Sequence, residues 1–566
     1  MRRSGLQIMR SLVGLVKPLI PHMILAVLAG VIGFLLSFGI SVFGGYGIIR
    51  LVYDGAGIAH IPFGHLAFSE TVWALIICAA LRGVFAYLEQ YENHYIAFHI
   101  LMKIRILIFK AMRKLAPAKL EQHRQGELVS MVKSDVEFLE VFYAHTISPI
   151  AIALLSLLFL LWFFVRIHRA LMLWALFVYF LIGVVVPLRA SGQAAVSGVG
   201  VRKEIARLSE RYLDLLRGIR ELIRFGREKE ASDSIEDNTA RLNERQRDLR
   251  MQAARLSARV DTLCLVGIVG MALLSVLLVA HSTLTPQAAF IAVVLLAGSF
   301  TPFINLANLG NTLTHTFAAG ERVLSLLEEE PLTPEIKDGR NVEFGDLEVS
   351  DLAFSYPSPD AEDQEAVLNS VSMHLKQNEI VGIRGASGCG KSTLLKLLLR
   401  FWDPDRGEIT LAGQDLRGIN TANLYSHLVY MTQKPVFFSG SIRDNLLIAE
   451  PQAGDEELWE ALEKAAIAER LRELPNGLDA EVSEMGRNFS GGEQQRIALA
   501  RCLLRQGSLY LLDEPTSNLD VLSEALILKS LYENRRGKTI LMVSHRSGSL
   551  SICDRILEMK EGRIYG

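Results

Sequence analysis

Apolar residues in this chain gather into long runs, separated by charged segments with helical periodicity. Residues 18–49 contain no Asp, Glu, Lys or Arg, enough to span a bilayer with some tilt. Further apolar stretches cover residues 71–87, broken only by Arg82, then 141–165 and 170–188. Residues 262–320 carry no formal charge, and the turn-forming segment 281–287, with Pro286 inside it, divides them in two. Six spanning helices are therefore expected. Residues 103–112 and 208–223 alternate apolar and charged positions at helical spacing, so these helices are expected to continue beyond the bilayer.

Basic residues set the orientation. Arg2, Arg3, Arg10 and Lys17 precede the first run, and eight more lie between the second and third, from Lys103 to Lys133. Positive flanks stay in the cytoplasm, which puts both ends and the two long loops there. Arg166 and Arg169 fall in an outer loop, against that rule. No cleavable leader is expected, because the first apolar run is too long and has no small-residue cleavage pattern. Past the acidic, proline-containing stretch Glu328-Glu-Glu-Pro-Leu-Thr-Pro334 the composition becomes that of a soluble α/β domain. The expected division is a membrane domain over 1–327, a linker over 328–345 and a soluble domain over 346–566.

Half of the residues are hydrophobic and only 21% are charged, which fits a membrane-embedded portion. The 59 Lys and Arg nearly balance the 61 Asp and Glu, removing electrostatic grounds for a nucleic-acid partner. Five cysteines without CxxC spacing suggest neither a disulfide framework nor a zinc site.

The soluble half carries the chemistry. Gly385-Ala-Ser387-Gly388-Cys389-Gly390-Lys391-Ser392 fits GxxxxGK[ST] between an apolar strand and an apolar helix beginning at Thr393. Glycines there let backbone N–H groups converge on phosphate oxygens at a helix N-terminus. Lys391 is expected to reach the β and γ phosphates of ATP, and the Ser392 hydroxyl to ligate Mg²⁺. Downstream, the apolar strand ending Leu512-Asp513-Glu514 offers two carboxylates. Asp513 suits the Mg²⁺ shell and Glu514 the polarisation of an attacking water.

The segment Asn488-Phe489-Ser490-Gly491-Gly492-Glu493-Gln494-Gln495-Arg496 resembles the signature of the ATP-binding-cassette superfamily. Tyr356 resembles that family's adenine-stacking aromatic, Gln433 its Q-loop glutamine and Mg²⁺ ligand, and His545 its switch histidine. The run Ser517-Asn518-Leu519-Asp520 resembles the D-loop. The resemblance implies a fold of six α-helical spans followed by an α/β P-loop cassette, the layout of an ABC exporter half-transporter. It also implies two chains, because the Ser490-Gly491-Gly492 turn closes over nucleotide held by an opposing cassette. Phe489, Glu493 and Asn518 depart from the commonest residues, and none of them removes a phosphate ligand.

In the membrane half, Arg124-Gln-Gly-Glu127 with Ser134-Asp-Val136, and Leu216-Arg-Gly-Ile-Arg-Glu221 with Phe225-Gly-Arg-Glu228, resemble the two intracellular coupling regions of that fold. The set Arg82, Tyr87, Glu89 and His94, followed by Arg124-Gln-Gly-Glu127 and Ile147-Ser-Pro149, resembles the CydC-type subunit of the heterodimeric CydDC exporters. That implies the cytoplasmic membrane of a bacterium, an unlike CydD-type partner and a cargo of haem or of small thiols such as glutathione and cysteine.

Arg82 sits in an apolar span, where a cation needs a partner or a cavity, so it reads as an anion-attracting substrate residue or as half of an inter-helix pair. His94 shares a face with Tyr87, Tyr91 and Phe98. That stripe reads as helix packing, or as a pocket for a flat ring with His94 as axial ligand. Twelve residues, about 18 Å, separate Arg82 from His94, too far for one haem to bridge. A lipid or multidrug exporter, and a non-transporting ABC ATPase that regulates a partner, are the rival functions.

Overall fold

The computed structural model describes residues 3–53, 66–123, 125–357, 366–517 and 519–565. Asn518 of the D-loop and Arg124 of the first coupling region lie outside the described residues. Among the described residues, six helices are long and apolar enough to cross a membrane: Lys17–Val52, Phe68–Leu115, Gly126–Ile167, Arg169–Arg189, Glu228–Ala280 and Pro286–Leu309. We number these spans one to six. The chain divides into two compact units, one of Met1–Met112 with His123–Glu329, the other of Arg113–Gln122 with Glu330–Gly566.

Helices run well past bilayer length, span two from Phe68 to Leu115 and span five for 53 residues from Glu228 to Ala280. The break between spans three and four falls at His168, whose extended backbone (φ −166°, ψ 136°) ends one helix while its ring accepts a hydrogen bond from Ala170 N–H of the next. Arg166, which the charge rule left as a misfit there, lies over the Trp162 ring at 5.5 Å, a contact that lets a cation stay beside apolar surface.

Spans four and five meet through small residues. A Cβ on Gly270 would come 2.1 Å from the Trp174 ring, and one on Gly267 would come 2.8 Å from Val178. Glycine at both positions admits the larger side chains, and Trp174 Nε1 then donates to the Gly267 carbonyl at 2.9 Å. Close backbone approach of this kind replaces the hydrophobic drive that lipid does not supply. Tyr179 stacks on Phe303 at 4.2 Å and shares a hydrogen bond with Ser299 at 2.5 Å, so this core's largest polar tip is satisfied.

Span three is interrupted by a wide helical turn over Met131–Asp135. Asp135 is 5% exposed and accepts two hydrogen bonds from Arg322, 2.7 Å from Nε and 2.5 Å from Nη2, on the helix Thr301–Glu328. A buried carboxylate in this setting needs such a bidentate cation.

Among its described residues the cassette unit has twelve strands: β1 Leu347–Phe354, β2 Leu368–Leu375, β3 Ile380–Gly385, β4 Arg406–Leu411, β5 Gln414–Asp415, β6 Leu428–Met431, β7 Gly440–Ser441, β8 Glu481–Val482, β9 Leu509–Asp513, β10 Thr539–Ser544, β11 Arg555–Lys560 and β12 Arg563–Tyr565. One sheet has the order β12-β11-β3-β10-β9-β6, parallel except for β12. A second, antiparallel sheet has the order β2-β1-β4-β5. β9 and β10 are buried at every position, as strands covered on both faces must be, and they read as continuous apolar runs for that reason.

Removing the carboxylate of Asp135 strands a partly buried guanidinium. Asp135→Ala is expected to cost about 2 kcal/mol, whereas Asp237→Ala, which breaks the exposed pair with Arg241, should cost under about 0.5 kcal/mol. Thermal unfolding of both variants in detergent checks this. Equal losses would show that the Asp135–Arg322 pair does not hold the bundle.

Candidate functional site

Parallel register assembles the candidate site. Ser544 of β10 lies opposite Arg384 of β3, Val543 of β10 opposite Asp513 of β9, and Met431 of β6 opposite Leu512 of β9. Four neighbouring strands therefore end at one edge of the sheet and hand over, in order, the loop after Gly385, His545, the pair Asp513–Glu514, and Gln433. Ligand sites of α/β sheets form at this carboxyl edge.

The loop closes onto the helix Lys391–Leu398 through Gly390, with φ +104°. A Cβ there would press 2.7 Å from Leu368 and 3.0 Å from the Val367 carbonyl, so both conformation and space require glycine. Gly388, at φ +83°, and Ser387 face solvent. Lys391 is 6% exposed, and its ammonium donates to the carbonyls of Gly385 and Ala386 at 2.9 and 2.8 Å, with Cys389 Sγ at 3.9 Å. Its charge is thus held over the mouth of a loop backed by a helix N-terminus, a geometry that attracts phosphate.

The Ser392 hydroxyl is close enough to the Asp513 carboxyl to hold its pKa down against burial, so the two expected Mg²⁺ ligands adjoin. Burial pushes the Asp513 pKa up, and the neighbouring Glu514 charge adds to the rise against the opposing effect of Lys391. An extra cation would relieve that strain, and the hydroxyl, carboxylate and amide oxygens of Ser392, Asp513 and Gln433 are hard donors of the kind Mg²⁺ takes. Glu514 adopts φ +51°, a conformation that costs a non-glycine residue about 1–3 kcal/mol. Its two carboxylate oxygens are shared between Gln433 Nε2 at 2.9 Å and His545 Nδ1 at 3.0 Å. The three side chains form one linked group.

Tyr356 is half-buried. Its hydroxyl pairs with Thr393 Oγ1 at 3.2 Å, and its ring stands edge-on to Trp402 at 5.3 Å. Lys396 Nζ lies 5.8 Å from the same ring and donates to Glu121 at 2.8 Å. Glu121 belongs to the short helix Ala118–Gln122, which folds with the cassette unit and buries Ala118 in its core. Burial lowers the Lys396 pKa, but Glu121 and Tyr356 together outweigh that effect and leave it raised. No sequence signal links residues 275 positions apart, so this pair was invisible beforehand.

Ser490 caps the helix Gly491–Leu504. It accepts from Glu493 N–H at 3.3 Å, and the Glu493 carboxylate accepts from Ser490 N–H at 2.7 Å. Burial pushes the Glu493 pKa up, yet the Ser490 bonds and the Arg470 guanidinium, 3.0 Å away, leave it lowered. The departure at Glu493 is a reciprocal cap, readable as Ser-x-x-Glu in the sequence. Ser490, Gly491 and Gly492 are not joined to the loop of Gly385–Ser392 by any hydrogen bond among the described residues.

In the membrane unit, Arg82 and Glu89 line one cavity of about 160 Å³, together with Ser37, Thr301 and Asn305. His94 is not part of it. Its Nδ1 lies 3.8 Å from Glu140 Oε1, its ring meets His145 edge-on at 5.5 Å and stacks with Phe98 at 5.9 Å. Among the described residues no group of three or more His, Cys, Asp or Glu is arranged to hold a metal ion.

Residues 368–517 match the family description "ABC transporter", and residues 19–303 match "ABC transporter transmembrane region". A "probable ABC transporter ATP-binding/permease protein" of Haemophilus influenzae is 38% identical over the full length of both chains. The "glutathione/L-cysteine transport system ATP-binding/permease protein CydC" of Escherichia coli is 31% identical, covering 86% of this chain and 84% of that one. The solved structure of a bacterial Atm1-family ABC exporter with ATP bound superposes with a TM-score of 0.81 at 21% identity, covering 97% and 95% of the two chains.

Lys391→Ala removes the buried ammonium from the loop. Binding of a fluorescent ATP analogue is expected to weaken roughly tenfold or more, and unchanged affinity would mean that the loop holds phosphate without Lys391.

Proposed function

The chain belongs to the ABC transporter family, and on that premise we propose that it is one half of a heterodimeric exporter of the bacterial cytoplasmic membrane whose cargo is a small thiol such as glutathione or cysteine. As an exporter-type half-transporter with six spans and one cassette, it couples ATP hydrolysis to transport.

The proposed division of labour at the nucleotide follows the geometry. Backbone N–H groups of residues 385–392 and the Lys391 ammonium take the phosphates, and Tyr356 takes the adenine. Ser392, Asp513 and Gln433 would hold Mg²⁺, which when bound offsets charge on the β and γ phosphates. Glu514 accepts the proton side of the attacking water, aimed by Gln433 and His545. The Ser490-Gly491-Gly492 turn spends its own serine on its cap, and its remaining N–H groups serve nucleotide on an opposing cassette. One cassette cannot supply both halves of such a site, and the resemblance to the CydC-type subunit implies an unlike partner chain.

The cargo reading is carried by the cavity that contains both Arg82 and Glu89. Opposite charges in one small, partly apolar space suit a zwitterion such as an amino acid or short peptide better than a haem with two propionates. The name of the Escherichia coli relative points the same way. Haem remains a second reading because His94 and His145 stand edge to face beside the exposed rings of Tyr87, Tyr91 and Phe98.

In the assembled transporter, Glu514→Gln is expected to trap ATP between closed cassettes and to lower turnover at least a hundredfold. Near-normal turnover would assign hydrolysis to the partner's site. Cargo is read separately, by stimulation of ATPase with glutathione, cysteine, haem or lipid and by flux into inverted vesicles. Thiol stimulation lost in Arg82→Gln with basal ATPase intact supports the reading. Haem stimulation and a Soret shift, both lost in His94→Ala, would replace it, and stimulation by lipid alone would mark a lipid exporter.

A further inference from the structure

A second cavity, of about 660 Å³, opens between spans four and five, far along the chain from the Arg82 cavity. Its walls include Leu181, Val185, Val186 and Leu263, and its rim carries Arg189 and Arg259. Arg189 is the last residue of span four, and Arg259 is the last basic residue before the charge-free run from Thr262. The positive-inside pattern puts both guanidiniums at the cytoplasmic face of the bilayer, with the apolar walls reaching into its hydrocarbon.

Cations at the membrane surface attract a counter-charge. Among the described residues neither arginine has a carboxylate within ion-pair distance, and both side chains are exposed. Further along the same two helices Arg207 pairs with Glu204 at 3.1 Å and Arg241 with Asp237 at 2.6 Å. Asp261 lies two residues from Arg259, on another face of the helix. The groove is therefore basic at its rim and apolar inside.

We propose that this groove binds a resident anionic phospholipid of the cytoplasmic leaflet, with its phosphate between Arg189 and Arg259 and an acyl chain along Val185 and Leu263. Charge complementarity selects the occupant. A phosphate diester offers the planar guanidinium two acceptor oxygens, basic pockets between spans at this leaflet attract acidic headgroups, and a zwitterionic headgroup would bring a quaternary ammonium against the same arginines. The apolar walls distinguish a lipid from a free anion.

Native mass spectrometry of the membrane-purified transporter tests this, with phosphatidylglycerol and phosphatidylcholine of identical acyl chains as probes. The parent should retain phosphatidylglycerol at least fivefold over phosphatidylcholine. Arg189→Gln/Arg259→Gln should abolish the preference, and Arg207→Gln/Arg241→Gln should keep it. The paired Arg→Lys variant, expected to retain part of the preference, keeps the test open should the glutamine variant fail to fold. No headgroup preference in the parent, or an unchanged preference in Arg189→Gln/Arg259→Gln, overturns the proposal. Displacement by inorganic phosphate alone would make the site a simple anion site and overturn it as well. ATP-driven flipping of phosphatidylglycerol that fails in the glutamine variant would make the lipid a cargo, against the resident role.

Discussion

Parallel hydrogen bonding among β3, β10, β9 and β6 is the constraint on which the rest of the cassette depends. Each strand is only four to six residues long, yet their common direction brings four sequence-distant segments to one edge. A slip of one residue in β9 against β10 would turn Asp513 away from Ser392 and carry Glu514 from Gln433 and His545. With β9 and β10 buried on both faces, the register is fixed by close packing, because each side chain fits one place between its neighbours. Hydrophobic packing behind the site thus sets the geometry of polar groups in front of it.

That geometry is also held under tension. Glu514 adopts a left-handed backbone, Asp513 keeps a raised pKa beside it, and Lys391 is buried against carbonyls. A site that must exchange these internal contacts for phosphate and metal stores part of the required energy beforehand. The two hydrogen bonds on Glu514 then matter for direction more than for strength, since they fix where a carboxylate in an unfavourable conformation points.

Much of this was legible in the sequence, where chemistry and local pattern coincide. Six spans followed from charge-free runs, and the strand, loop and helix around Gly385–Ser392 from glycine spacing beside apolar stretches. Tyr356, Gln433, Asp513, Glu514 and His545 followed from resemblance, and the fold brings the last four together. What stayed hidden was long-range pairing. Nothing local marks Asp135 as the partner of Arg322, or Glu121 as the partner of Lys396, because an ion pair leaves no periodicity. The helix face of Tyr87, Tyr91, His94 and Phe98 was correctly drawn, but it could not disclose that the cavity near it belongs to Arg82 and Glu89. The cap at Ser490 was readable, although Glu493 stood out first as a departure from the family's commonest residue.

The glycines of span five have a mechanical consequence. With Trp174 seated where Gly270 lacks a side chain and tied to the Gly267 carbonyl, rotating span five by one residue would drive a Cβ into an indole. Sliding it along its axis would break the tie. Spans four and five are therefore keyed to each other, as a shaft is to its collar, and turn as one piece. Any motion that opens or closes the membrane unit has to be taken up outside this contact. A transport cycle built on this bundle moves paired helices, and its hinge lines run around the pair.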